Sequence, residues 1–295
     1  MKVGIDLGGT KTEAILIHEN GEELFRKRIK TINNYEGTIQ GIKNLIDEIK
    51  NQYKAIDSIG IGMPGIVSKY TSLVKNANSV WLNGKPLKKD LENYLNIKIE
   101  IENDANCFAL SEAVDGAGKN YNVVFGVIIG TGTGGGLIFN KQIHQGVNQI
   151  GGEWGHTALP NRSEEEIKYS KNCFCGLKGC METYVSGPGF SHLFNKKNNE
   201  NFDSHQILEE FKHGSNRTKI ALDNYVDHLA RGLSNVINII DPDVIVLGGG
   251  MSNIDYIYKN INSSLKKYVV SDTIHTKVIK NIHGDSSGVR GAAWL

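Results

Sequence analysis

One histidine and three cysteines are spaced along the chain as a metal site would need them. Three thiolates and one imidazole form a tetrahedral zinc set, and the glycines among the cysteines allow tight folding around an ion. Because four protein ligands close the coordination sphere, the pattern predicts a structural zinc ion and not a Lewis-acid catalyst. One alternative is a disulfide, which a reducing compartment disfavours. The other is a nucleic-acid-binding zinc module, which the neutral charge and the absence of a second cysteine cluster disfavour. The predicted ligands are His156, Cys173, Cys175 and Cys180.

A glycine turn near the N-terminus brings a carboxylate, a hydroxyl and a cation together after an apolar strand. Glycines let backbone N–H groups approach phosphate oxygens, and the carboxylate can reach a magnesium ion through water. The alternative is an ordinary β-hairpin whose glycines only supply positive φ. The residues assigned here to nucleotide binding are Gly4, Asp6, Gly8, Gly9, Thr10 and Lys11.

A second glycine turn follows the apolar run that ends at Ile129. Its spacing matches the G-x-G-x-x-G of dinucleotide-binding folds, but that motif requires a helix after it. Here a second strand follows, so a phosphate-binding hairpin is predicted instead, and it repeats the pattern of the first turn. A third cluster lies between a strand and a helix and could either hold adenosine or pack closely. The residues are Gly130, Thr131, Gly132, Thr133, Gly134 and Gly135, then Gly248, Gly249 and Gly250.

Asp104 lies in the segment Asn103-Asp104-Ala105-Asn106, between a predicted strand and a predicted helix. A carboxylate there could simply cap the helix. It could also be a general base that accepts the proton of a sugar hydroxyl as the hydroxyl attacks the γ-phosphate of ATP. The residues alone leave both readings open.

Alternating strands and helices predict an α/β fold around these turns. Apolar residues at helical spacing predict one helix through Ile39–Ile49 and another through Val226–Ile240, which Asp241-Pro242 ends. Short β-branched runs predict strands at 3–5, 12–17, 59–61, 97–101, 123–129, 137–139 and 244–247.

Composition excludes several classes of partner. The 295 residues include 33 Lys and Arg against 32 Asp and Glu, with no basic stripe that would bind nucleic acid. The N-terminus lacks the long uncharged apolar segment of a signal peptide or membrane span, so no membrane partner and a cytoplasmic location are expected. A small-molecule ligand is the default partner.

Taken together, these motifs resemble the ROK family of bacterial sugar kinases and sugar-responsive repressors, over nearly the whole chain. The resemblance rests on the segments described above together with three others. These are Gly62-Met63-Pro64-Gly65, Gly152-Glu153-Trp154-Gly155-His156, and Cys180-Met181-Glu182 after the cysteines.

The resemblance implies a two-lobed actin-like, ribonuclease-H-like ATPase fold with a zinc-binding insertion. Residues 1–117 would form the N-terminal lobe and 118–295 the C-terminal lobe, with a helix near 286–295 returning to the first. It implies ATP with Mg²⁺, a homodimer, and Asp104 as the catalytic base. His156 would bind zinc through one ring nitrogen and face the sugar with the other. The implied sugar-binding residues are Gly65, Asn78, Asn103, Asp104, Glu153, His156 and Glu182.

Four stretches most resemble bacterial fructokinases of the mannokinase-fructokinase type: residues 75–84, 111–117, 152–156 and 283–294. We therefore expect transfer of phosphate to the 6-hydroxyl of fructose, with some action on mannose or glucose. An N-acetylglucosamine kinase or a glucokinase is the alternative. A repressor of the family carries a DNA-binding domain before the first glycine turn, whereas only Met1 to Ile5 precede Asp6 here. A sugar-responsive regulator without that domain is the non-enzyme alternative.

Overall fold

A computed structural model describes residues 1–295 and contains two five-stranded sheets. The first sheet has the order β3-β2-β1-β4-β7, and a small hairpin of β5 and β6 follows β4. The bounds are β1 Lys2–Leu7, β2 Lys11–Ile17, β3 Glu23–Lys30, β4 Ser58–Met63, β5 Ile66–Val67, β6 Val74–Lys75 and β7 Ile99–Asn103.

The second sheet repeats the topology of the first, in the order β10-β9-β8-β11-β12. In each sheet the first strand pairs antiparallel with the next strand along the chain and parallel with a later one. The repeated glycine hairpins of the sequence are thus the first two strands of two similar sheets. The bounds are β8 Val123–Ile129, β9 Thr133–Phe139, β10 Gln142–Ile143, β11 Val244–Gly248 and β12 Lys277–Lys280.

Ten α-helices connect and cover the sheets. No helix is both long enough and apolar enough to cross a membrane. The bounds are α1 Tyr35–Gln52, α2 Leu87–Leu95, α3 Asp104–Val114, α4 Glu164–Lys168, α5 Glu182–Val185, α6 Gly187–Asn198, α7 Ser204–Lys212, α8 Asn216–Ile240, α9 Asp255–Leu265 and α10 Ser287–Ala293.

The two helices predicted from apolar spacing are α1 and α8. Asn34 caps α1 because its Oδ1 accepts a hydrogen bond of 2.7 Å from the Gly37 amide. Asp241 ends α8 with a left-handed φ of +50°, and Pro242 cannot continue the helix. Each helix buries its apolar face against one sheet, and the two main apolar cores hold 20 and 27 buried residues.

All the predicted strands are present, with β7 displaced two residues toward the C-terminus. The strands that the sequence did not indicate lie mainly at sheet edges. β3 reads Glu-Leu-Phe-Arg-Lys-Arg-Ile-Lys and has no fully buried residue. Because an edge strand is half solvated, it carries charges in place of the apolar run on which the prediction depended.

Helices α3 and α10 lie between the two sheets and pack closely through glycines. A β carbon on Gly4 of β1 would lie 2.1 Å from the Val289 carbonyl oxygen of α10. On the other side, a β carbon on Gly126 of β8 would lie 2.5 Å from the Ala109 side chain of α3. The division predicted near residues 115–120 falls in the connection that joins α3 to β8. We call the parts built on the first and second sheets the first and second lobes.

We predict that Gly291→Ala destabilises the protein. A β carbon there would lie 1.7 Å from the Cys107 carbonyl oxygen, so α10 and α3 would have to separate. Overpacking of this kind costs about 3 kcal/mol, which exceeds the gain of about 1 kcal/mol from replacing a helical glycine. Thermal or denaturant unfolding measures the change. Gly41→Ala on α1 is the matched control, since its nearest neighbour is the flexible end of Ile29, and it should be neutral or stabilising.

Candidate functional site

The first glycine turn joins β1 to β2 and is held by backbone hydrogen bonds. The Gly8 amide donates to the Lys11 carbonyl at 3.0 Å, and the Thr31 hydroxyl donates to the Gly8 carbonyl at 2.8 Å. Burial and, after it, the negative charge of Asp104 together raise the pKa of Asp6 to about 7. Two carboxylates therefore approach each other at this turn, an arrangement that favours a bound cation.

Asp104 is the first residue of α3, and Asn103 is the residue that caps the helix. Asn103 Oδ1 accepts from the Ala105 amide at 2.9 Å, and Asp104 Oδ1 accepts from the same amide at 2.8 Å. The cap role considered for Asp104 thus belongs mainly to its neighbour. Burial raises the pKa of Asp104, although hydrogen bonds from the backbone lower it. A carboxylate held in this way is poised to take up a proton.

The predicted sugar residues of the first lobe lie around Gly65. Asn103 Nδ2 lies 3.4 Å from the Gly65 carbonyl oxygen, with which it makes a long hydrogen bond. Gly65 has a φ of +96°, and a β carbon there would lie 2.7 Å from the Ala77 amide nitrogen. Gly65 therefore packs directly on the segment that leads to Asn78, which is exposed.

The predicted sugar residues of the second lobe meet those of the first at Glu153. Burial raises the pKa of Glu153, the His156 ring lowers it, and the charges of Asp104 and Glu182 raise it. His156 Nε2 lies 3.9 Å from Glu153 Oε2. Residues widely separated in the sequence thus surround one acidic cleft.

The segment that carries Glu153 is seated on the glycines of β9. Trp154 Nε1 donates to the Gly134 carbonyl at 3.1 Å. A β carbon on Gly135 would lie 2.7 Å from the Gly152 carbonyl oxygen. Gly134 and Gly135, assigned to nucleotide binding from the sequence, therefore have a clear packing role beneath the segment that carries Glu153.

The turn between β8 and β9 borders a cavity of about 760 Å³. Gly187 donates its amide to the Gly130 carbonyl at 2.8 Å, which fixes the start of α6 against this turn. Gly130 and Thr131 line one wall, and Gly250 and Met251 line another. The remaining lining residues are Gly187, Pro188, Ser191, Asn201, Phe202, Asp203, Ser204, His205, Gln206 and Leu208.

Three of the glycines assigned to the nucleotide have other neighbours. A β carbon on Gly248 would overlap the Phe108 ring at 2.4 Å, and Gly249 turns the chain at a φ of +81° beside Ile129. Only Gly250 of that cluster lines the cavity. Gly4 lies against α10 and not at the turn, which corrects its assignment to nucleotide binding: its lack of a side chain serves helix packing.

The histidine and three cysteines come together as the sequence predicted for a metal site. Their ligand atoms all lie within 4.8 Å of one another. Cys173 Sγ is 3.4 Å from His156 Nδ1, and Cys175 Sγ is 3.6 Å from Cys180 Sγ. Zinc–sulfur bonds of about 2.3 Å in a tetrahedron require sulfur atoms about 3.8 Å apart. The cluster therefore has the donors and the size for a tetrahedral metal ion.

Glu182 connects this cluster to the second glycine turn. Its Oε2 accepts from the Thr133 amide at 3.0 Å, and its Oε1 lies 3.7 Å from Cys173 Sγ. The sequence placed Glu182 beside the sugar but did not indicate the contact with Thr133. That contact depends on the docking of α5 against β9, which no local pattern encodes.

Sequence reasoning missed other residues of the site. Asn201 to Ser204, in the connection from α6 to the start of α7, line the cavity beside Gly130. Asp203 caps α7 by accepting from the Gln206 amide at 2.8 Å. The Asp-x-x-Gln pattern of that capping box was the available signal.

We predict that Asp6→Asn stabilises the protein more at pH 8 than at pH 5. The folded pKa of about 7 lies above the unfolded value, so the folded state binds more protons and loses stability as the pH rises between them. Replacing the carboxyl with an amide removes a loss of about 1–3 kcal/mol in the free energy of unfolding between pH 5 and pH 8. Thermal unfolding without added magnesium measures it. Asp47→Asn, at an exposed site on α1, should change stability equally at both pH values, and an Asp6→Asn effect independent of pH would contradict the argument.

Comparison with known proteins identifies the family. The ROK family model matches residues 2–295. The N-acetyl-D-glucosamine kinase of Mannheimia succiniciproducens is 37% identical over 300 residues, covering 100% of this chain and 99% of that protein.

Solved structures of the same fold support this family. The ROK hexokinase of Thermus thermophilus superposes with a TM-score of 0.88 at 24% identity, covering 100% of this chain and 97% of that one. A ROK family glucokinase from Streptomyces griseus, in complex with glucose and AMPPNP, gives a TM-score of 0.78 at 25% identity, with 99% and 97% covered. The two-sheet architecture and the match along the whole chain lead to one conclusion: this chain belongs to the ROK family and is an ATP-dependent sugar kinase.

Proposed function

We propose that the protein transfers the γ-phosphate of ATP to the 6-hydroxyl of N-acetyl-D-glucosamine. The observation that carries this substrate is the 37% identity with an N-acetyl-D-glucosamine kinase along the entire chain. The fructose prediction rested on four short stretches, residues 75–84, 111–117, 152–156 and 283–294, and is replaced by its alternative. Resemblance over short stretches carries less weight than identity along the entire chain.

Asp104 is the proposed general base. It lies where the first glycine turn, the Gly65 segment and Glu153 approach one another, and its raised pKa suits a group that accepts a proton during the reaction. The sugar hydroxyl would donate its proton to the Asp104 carboxylate as the oxygen attacks phosphorus. The ADP oxygen leaves on the opposite side of the transferred group.

The nucleotide is proposed to occupy the cavity between the Gly130 turn and Gly250. Its volume of about 760 Å³ is ample for a nucleoside, and the cavity opens beside the turn whose amides can meet phosphate oxygens. Asp6, with Gly8, Gly9, Thr10 and Lys11, would face the terminal phosphate from the first lobe. Magnesium bound near Asp6 would neutralise phosphate charge.

Hydroxyl groups of the sugar are proposed to meet Asn103, Gly65 and Asn78 on one side and Glu153, His156 and Glu182 on the other. An acetamido group adds an N–H and a carbonyl, each of which needs a partner once it is buried. A pocket built for that group loses binding when the sugar lacks it, which gives a physical basis for discrimination.

The cysteine cluster is proposed to hold a structural zinc ion. His156 would bind it through Nδ1, the atom that faces Cys173, which leaves Nε2 on the Glu153 side. A ligand fixed in this way cannot rotate, so the ion would orient the imidazole toward the sugar. The homodimer expected from the family resemblance stays a prediction.

We predict that N-acetylglucosamine gives the highest kcat/KM in a panel with fructose, mannose and glucose. Initial rates with ATP and magnesium decide the order, and a best rate with fructose would overturn the proposed substrate. Asp104→Asn is the control for contaminating kinases. It keeps the shape of the side chain but removes the proton acceptor, so the rate should fall by about 10² to 10⁴ while the sugar still binds.

We predict one zinc ion per chain, lost in Cys175→Ser. Atomic spectroscopy of protein purified without chelators measures the metal, and thermal unfolding measures its contribution to stability. Because the ion orients His156, KM for the sugar should rise more than KM for ATP. Lys178→Ala, an exposed change in the same turn, is the control and should retain the metal. Wild-type protein without zinc would contradict the assignment.

A further inference from the structure

A segment of the second lobe reaches across the cleft to the first lobe. It comprises residues 144–151, between β10 and the turn that carries Glu153, and we call it the crossing loop. Within it, Gln149 is only 8% exposed and has a φ of +58°. A non-glycine residue that is both buried and left-handed is held in place by its surroundings.

The Gln149 side chain pairs with the backbone of the first lobe. Its Oε1 accepts from the Lys69 amide at 3.0 Å, and its Nε2 donates to the Val67 carbonyl at 3.1 Å. A primary amide that meets one backbone donor and one acceptor reproduces the pairing of a neighbouring strand. Val67 ends β5, which begins directly after Gly65.

A second glutamine of the crossing loop reaches the start of α3. Gln145 Nε2 donates to Glu102, a carboxylate that is only 3% exposed. The other oxygen of Glu102 accepts from the Asn103 amide at 2.8 Å and from Asn106 Nδ2 at 3.1 Å. The loop thus bonds to the carboxylate that holds the backbone just before Asp104.

The crossing loop is equally constrained at its second-lobe end. A β carbon on Gly151 would lie 2.1 Å from the His144 carbonyl oxygen, and one on Gly152 would lie 2.5 Å from the Gly135 carbonyl oxygen. Glu153 follows immediately. A shift of the crossing loop would therefore move Glu153 and change its distance from Asp104.

We propose that Gln149 and Gln145 are positioning residues. They fix one side of the cleft, formed by Gly65, Asn103 and Asp104, relative to the other side, formed by Glu153 and His156. Sugar binding needs both sides at once, whereas the proposed cavity for the nucleoside is lined by the second lobe alone and only the terminal phosphate would face the first lobe. Loss of the crossing contacts should therefore weaken sugar binding much more than nucleotide binding. The inference rests on the sugar-kinase activity and not on which sugar is preferred.

Gln149→Glu tests the inference with little change of shape. The new carboxylate can still accept from the Lys69 amide, but it places an oxygen against the Val67 carbonyl, where a donor is required. We expect KM for the sugar to rise by about 10-fold, the effect of one buried polar group left unpaired, and KM for ATP to stay within about 2-fold. Gln145→Ala should act in the same direction.

Gln142→Ala is the matched control, because Gln142 is exposed on β10 beside the crossing loop. Hydrogen exchange gives an independent measurement: sugar should slow exchange of the Lys69 amide in the wild type and slow it less in Gln149→Glu, in which the bond to the Val67 carbonyl is lost. Sugar KM values within about 2-fold of the wild type in both variants would overturn the inference, as would an equal rise in KM for ATP.

The kinetic constants are measured with whichever sugar the wild type phosphorylates best. If that sugar is not N-acetylglucosamine, the proposed substrate fails and the test of the crossing loop is unaffected. If the variants bind sugar normally while the wild type prefers N-acetylglucosamine, the inference about the crossing loop is wrong and the proposed substrate stands.

Discussion

The close approach of α3 and α10 is the constraint on which the rest of the molecule depends. Gly291 brings α10 against the Cys107 backbone, and glycines of the two sheets let each helix sit directly on a strand. Side chains at these positions would force the layers apart. Because Asp104 begins α3, the packing that joins the lobes also sets the position of the proposed base relative to both glycine turns.

Several parts of the second lobe contact β9 directly. The same strand begins at the glycine turn beside the proposed nucleotide cavity, carries the segment with Glu153 on its glycines, and receives Glu182 at the Thr133 amide. Glu182 in turn adjoins the cysteine cluster. The cysteine cluster, the Glu153 segment and the turn between β8 and β9 are therefore linked by short contacts, so we expect a change at one to move the others.

The buried carboxyl groups of the cleft lower the stability of the folded protein, and substrate binding can offset this loss. Asp6, Asp104 and Glu153 all have raised pKa values, principally because burial disfavours their charged forms. Two of them also feel the charge of Asp104. Such repulsion is common at sites that act on charged ligands, where a cation or a proton from the substrate relieves it.

The sequence by itself determined the fold class, the strands in the interiors of the sheets, the glycine turns, the family, and the histidine and three cysteines that the structure brings together. These features depend on local periodicity and on residue types with few alternative uses. Tertiary structure alone decided that Gly4, Gly135 and Gly248 pack against other elements, and that Gln145 and Gln149 cross between the lobes. Each of those outcomes depends on neighbours up to hundreds of residues away along the chain, and no local pattern carries that information.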